Sequence, residues 1–107
     1  MTQAELRAFG LGLGQIVTNT FHYTAPENTS ANYAVWAELS GVALSSDNKQ
    51  AEGRCEIAID YFTKTEFDGT IDSISSYLNN FGSWHIESVQ FEPETRYIHY
   101  EWRLDYA

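Results

Sequence analysis

The chain has 107 residues, 43% hydrophobic and 15% aromatic, with a formal net charge of −9. One domain, 1–107, is the reading for that length, and the apolar content excludes disorder, because disordered chains lack the area to offset ordering entropy. The acidic balance argues against a protein that grips nucleic acid or an anionic membrane, since such binding rests on positive charge releasing counterions from phosphates; DNA merely passing by is compatible with it.

A chain of this size buries roughly 65% of its unfolded surface, enough for one modest core. The lone cysteine, Cys55, makes no internal disulfide, so an oxidising compartment is not required. The start, MTQAELRAFG, is polar and carries Glu5, unlike a signal peptide, and the longest apolar run is far short of a membrane span. The expectation is a soluble protein folded in a cytoplasm.

The first element is a helix. Thr2–Glu5 reads TQAE, a capping box in which the Thr2 hydroxyl accepts the Glu5 N–H and the Glu5 carboxylate answers back. Leu6, Phe9, Leu13, Ile16 and Val17 follow at helical spacing, interrupted by Gly10, Gly12 and Gly14. Each glycine costs a helix roughly 1 kcal/mol against alanine, so the helix is predicted to end at about residue 10–14. The GLGLG run lacks the preceding strand and following helix of a phosphate-binding fingerprint. Small residues easing close packing are the better account.

Thr20–Tyr23 reads as a short strand, then Pro26 marks a loop. Asn32–Leu39 (NYAVWAEL) is rich in β-formers and apolar on both faces, which suits a sheet interior. A long polar connection leads to Arg54–Thr63, where Cys55, Ile57, Ile59 and Tyr61 alternate with polar residues. Asp68 or Thr70 is expected to cap a second helix, with Ile71, Ile74, Leu78 and Phe81 on one stripe and Gly82 as its C′ residue. Trp84–Glu92 is a strand. After a turn, Glu94–Ala107 alternates, with Ile98, Tyr100, Trp102 and Leu104 on one side and Tyr97, His99, Glu101 and Arg103 on the other. The fold class is α+β, order α-β-β-β-α-β-β, a mostly antiparallel sheet with two helices on one face. The last strand is expected to pair with Trp84–Glu92, its Ile98/Trp102/Leu104 face covering the helices.

Chemistry leaves little trace. HIE and HYE place His85 and His99 two residues from a glutamate on one strand face, half of a metal site, but no further ligand spacing supports it. No nucleophile elbow or phosphate-binding loop is present. Trp36, Trp84, Trp102 and the tyrosines suit core packing or an interface better than a pocket. No catalytic residue, metal or cofactor is assigned.

From about Tyr33 onward, YAVWAEL, SDNK, IDYFTKTEFD and SVQFEPETRYIHYEWRLDY stand in an order and spacing that resemble the small tail-terminator (tail-completion) proteins of long-tailed bacteriophages and prophages. The resemblance implies a virion structural protein, not an enzyme, without a cofactor. It implies a homo-oligomer, usually a hexameric ring, that caps the head-proximal end of the tail tube and stops polymerisation. Its partners are then itself, the tail tube protein and the head–tail connector. DNA passes through without specific binding, no membrane is involved, and the chain is made in the bacterial host cytoplasm. Ring interfaces are heterologous, and two features are candidates for them. One is the long loop Ser45–Gly53 with Asp47, Asn48 and Lys49. The other is the hairpin at residues 84–106 with its aromatic outer residues; the Tyr97/His99 face of its last strand, with Glu101 and Arg103, or that strand's free edge, is expected to meet a neighbour or the tube. Two readings stay open beside this one: a neck or head–tail joining protein, and a small α+β enzyme or ligand-binding protein with an aromatic pocket.

Overall fold

The computed structural model of the protein describes residues 2–27, 29–39 and 55–106. In chain order they form α1 (Gln3–Ile16), β1 (Thr20–His22), β2 (Tyr33–Glu38), β3 (Cys55–Thr63), α2 (Thr70–Leu78), β4 (Gly82–Glu92) and β5 (Tyr97–Tyr106). The strands make one five-stranded sheet in the order β1-β2-β3-β5-β4. All neighbours are antiparallel except β1 and β2, which run parallel. This is the α+β class and element order expected.

The capping box of α1 is formed: Thr2 N donates to Glu5 Oε1 at 2.7 Å and Glu5 N to Thr2 Oγ1 at 3.1 Å. The helix does not stop at the glycines but runs on to Ile16. Gly10 and Gly12 are close-approach points. A Cβ on Gly10 would lie 2.5 Å from the Trp36 ring, and one on Gly12 would lie 2.1 Å from the Tyr77 hydroxyl. That hydroxyl donates to Phe9 O at 2.8 Å, so it is not free to move aside. Helix propensity is given up here for packing of α1 on β2 and α2.

Asp68 anchors the start of α2 differently from a simple cap. The N-cap position is Gly69, with no side-chain bond. The Asp68 carboxylate instead accepts from Thr70 N at 2.9 Å and from the Tyr61 and Thr63 hydroxyls at 2.7 Å each. Burial pushes the Asp68 carboxyl up, but these hydrogen bonds outweigh it and hold it below its ordinary value. Fully buried Thr63 is thereby satisfied. Gly82, expected to follow the helix as its C′ residue, opens β4 opposite Tyr106.

Both helices lie on one face of the sheet. Leu6, Phe9 and Leu13 of α1 and Ile74 and Leu78 of α2 share a core with Trp36, Ile57, Ile59, Trp102 and Leu104. The Trp102 indole N–H donates to Ser75 Oγ at 3.1 Å, which satisfies the one polar atom of the largest buried side chain. One expectation is corrected: β5 has no free edge. It is flanked by β3 on one side, from Ile98 to Tyr106, and by β4 on the other, from Tyr97 to Tyr106. The open edges of the sheet belong to β1 and β4.

Candidate functional site

The sheet face away from the helices carries Tyr97, His99, Glu101 and Arg103 of β5, as the alternation predicts. Their register partners on β3 include Phe62, Asp60 and Ala58. Tyr97 is only 5% exposed, however. Its hydroxyl sits 2.9 Å from Ala31 O and 3.1 Å from Thr29 O, and Lys64 Nζ lies 4.8 Å above its ring. The segment before β2 thus covers it, and a charge placed there would act on folding before it acted on assembly.

His99 and Arg103 are held by acids of the same face. His99 Nε2 meets Asp60 Oδ1 at 2.8 Å, and its Nδ1 lies 3.6 Å from Glu92 Oε2. The Asp60 hydrogen bond raises the His99 pKa above its ordinary value, against burial. Arg103 Nε donates to Glu101 Oε2 at 2.8 Å, with Glu56 at 3.8 Å. The Glu101 bond strengthens the guanidinium's hold on its proton. Behind these charges runs an aromatic ladder: Phe62 stacks on His99 at 4.1 Å and on Tyr33 at 4.5 Å, and Tyr33 meets Phe21 at 6.5 Å. Polar groups here are already partnered within the chain, so this face offers few unmet bonds to a partner. Asp47, Asn48 and Lys49 lie outside the described residues.

Apart from Phe67 in the loop between β3 and α2, the large exposed apolar side chains among the described residues gather at the edges. Trp84, Ile86, Val89 and Phe91 of β4 stand opposite Leu104, Trp102, Tyr100 and Ile98, so all four belong to the helix-side face. Trp84 packs on the core, whereas Ile86, Val89 and Phe91 lie beyond the helices, 41%, 53% and 58% exposed. Strict alternation would put Ile86 and Val89 on opposite faces. A β-bulge between Ile86 and Ser88 absorbs Glu87 and restores the row. The spacing W-x-I-x-x-V-x-F contains that signal. His85 Nε2 pairs with Glu87 Oε1 at 2.8 Å, and this hydrogen bond holds the Glu87 carboxyl below its ordinary value.

At the opposite edge, a groove of about 470 Å³ runs between α1 and the β1–β2 edge, lined by Leu6, Arg7, Gly10, Leu11, His22 and Trp36. Leu11 is 58% exposed. His22 stacks on Trp36 at 3.9 Å and meets Glu38 at 2.8 Å. Arg7 forms no salt bridge among the described residues.

Among the described residues no group of three or more His, Cys, Asp or Glu is placed to hold a metal ion, and no helix is long and apolar enough to cross a membrane. No protein-family model, curated protein or solved structure matches the chain.

Proposed function

We propose that this chain is a phage or prophage tail-terminator subunit. In this reading copies assemble into a ring on the head-proximal end of the tail tube, stop its polymerisation and present the surface that joins tail to head. The observation that carries it is where unsatisfied apolar surface lies. The space between helices and sheet is filled, down to glycines with no room for a methyl group, while Ile86, Val89, Phe91 and Leu11 stay exposed along two unlike edges. Filled interiors with apolar rims suit association with another protein better than capture of a small ligand.

Of the two edges, the resembling phrases fall on one, β4, and on the strands between, but not on α1 or β1. YAVWAEL spans β2, IDYFTKTEFD covers the end of β3 and the approach to α2, and SVQFEPETRYIHYEWRLDY is most of the β4–β5 hairpin. The acidic composition suits a ring whose channel lets DNA slide past without sticking. The reading assigns no reaction and no cofactor.

The test is deletion of the gene in its parent phage, followed by induction and negative-stain electron microscopy. Filled heads beside detached tails of irregular or excessive length are the expected result. Detached tails of normal length would move the protein to the head side of the neck. Intact infectious particles would overturn the assembly reading and turn attention to the α1–β1 groove as a ligand site.

A further inference from the structure

β1 is the shortest strand of the sheet. It has three residues, none of them buried, and pairs with β2 alone. At its two ends Ala34 N donates to Asn19 O and Tyr23 N to Trp36 O, each at 2.9 Å. The residue that follows it is strained: Tyr23 has φ of 76°, a left-handed conformation that an aromatic residue rarely adopts. Contacts of its own side chain hold it there. The Tyr23 hydroxyl donates to Glu38 Oε2 at 2.6 Å, and its ring stacks on His22 at 3.8 Å. The other Glu38 oxygen meets His22 Nε2 at 2.8 Å, and the far face of the His22 ring lies on Trp36 at 3.9 Å. One carboxylate, on the last residue of β2, thus fastens both residues at the end of β1.

We propose that β1 is a strap that opens and closes on the sheet as a unit of its own, with the Glu38 carboxylate as its pin. Local opening is governed by how few buried apolar contacts and how many exposed hydrogen bonds a segment has. β1 meets both conditions. The core of α1, α2, β2, β3 and β5 is built without a residue of β1, so that core stays packed when the strap lifts. The left-handed Tyr23 backbone favours lifting, because its strain is released once the side chain lets go of Glu38 and His22. Opening strips the His22 ring from Trp36, otherwise 5% exposed. It also frees the outward Ala34 N–H and Trp36 C=O of β2. The strap therefore governs when the β2 edge and the Trp36 ring can be reached from outside.

Amide hydrogen exchange, read residue by residue by NMR on the purified chain, tests this. In the native chain the Tyr23 and Ala34 amides are expected to exchange about tenfold or more faster than those of the β3–β5 ladder, the mark of an opening that leaves the rest folded. Exchange of all of them at one common rate would overturn the strap. Two variants test the pin: Tyr23→Phe keeps the ring and removes its hydrogen bond, and Glu38→Ala removes both bonds. Each is expected to speed exchange at position 23 and at Ala34 by a further factor of about ten, with the β3–β5 amides unchanged. Unaltered exchange at these two positions in both variants, or equal acceleration throughout the sheet, would overturn the role given to Glu38.

Discussion

The two faces of β5 are built on opposite plans. Toward the helices, Trp102 and Leu104 are fully buried. Toward the other side, His99, Glu101 and Arg103 are half-buried, and each leans on a charged neighbour from β3, β4 or β5 itself. One face draws its stability from area removed from water, the other from charges that satisfy one another. The difference teaches where to look for partners. A face whose polar groups are mutually satisfied gains little from a visitor, so adhesive surface is left to the rim, at β4 and beside β1.

Substitutions on each face measure this contrast. Trp102→Ala removes the largest buried side chain and is expected to cost about 3–5 kcal/mol, read from urea unfolding; a loss near 1 kcal/mol would mean the helix side does not dominate. Asp68→Ala comes next. It strips the Tyr61 and Thr63 hydroxyls and Thr70 N–H of their acceptor, at a cost of about 1–3 kcal/mol. Since the folded Asp68 carboxyl is held below its ordinary value, that gap is present above the unfolded pKa and closes as pH falls through the folded one. Arg103→Ala is expected to cost under about 1 kcal/mol, because the pair is partly solvated. A loss as large as that of Asp68→Ala would show that the open face is structural after all.

The smallest effect is a slope. The His99 pKa is raised in the folded chain, chiefly by Asp60, so its charged form contributes stability below the unfolded value, and that contribution is lost as pH rises through the folded one. The stability difference between native chain and His99→Gln is therefore expected to be larger at about pH 5.5 than at about pH 8.5. Equal differences at both would uncouple His99 from Asp60.

Alternation made β3 and β5 readable from sequence, because each buries side chains at a period of two, and β2 was readable from its run of β-formers apolar on both faces. The glycines of α1 misled, since propensity counts their cost in an isolated helix and says nothing of Trp36 and Tyr77 pressing from distant segments. Tyr97 misled for the same reason: alternation gives its face, but the carbonyls of Thr29 and Ala31 that cover it come from far along the chain. The β4 row was legible in its spacing, had the extra residue at Glu87 been read as a bulge. That β5, the last strand in order, lies between β3 and β4 was not legible, because periodicity carries no register between strands.

That central position of β5 has a consequence for biosynthesis. β3 and β4 do not touch; each reaches the other only through β5. While the nascent chain is still short of Tyr97, α1 and α2 have no Trp102 or Leu104 to close upon, and β4 has no strand at all beside it. Until β5 is made, the core stays open on the side that Trp102 and Leu104 will fill, and the sheet cannot be completed. Premature stops within β5 should yield aggregating fragments rather than a smaller folded domain.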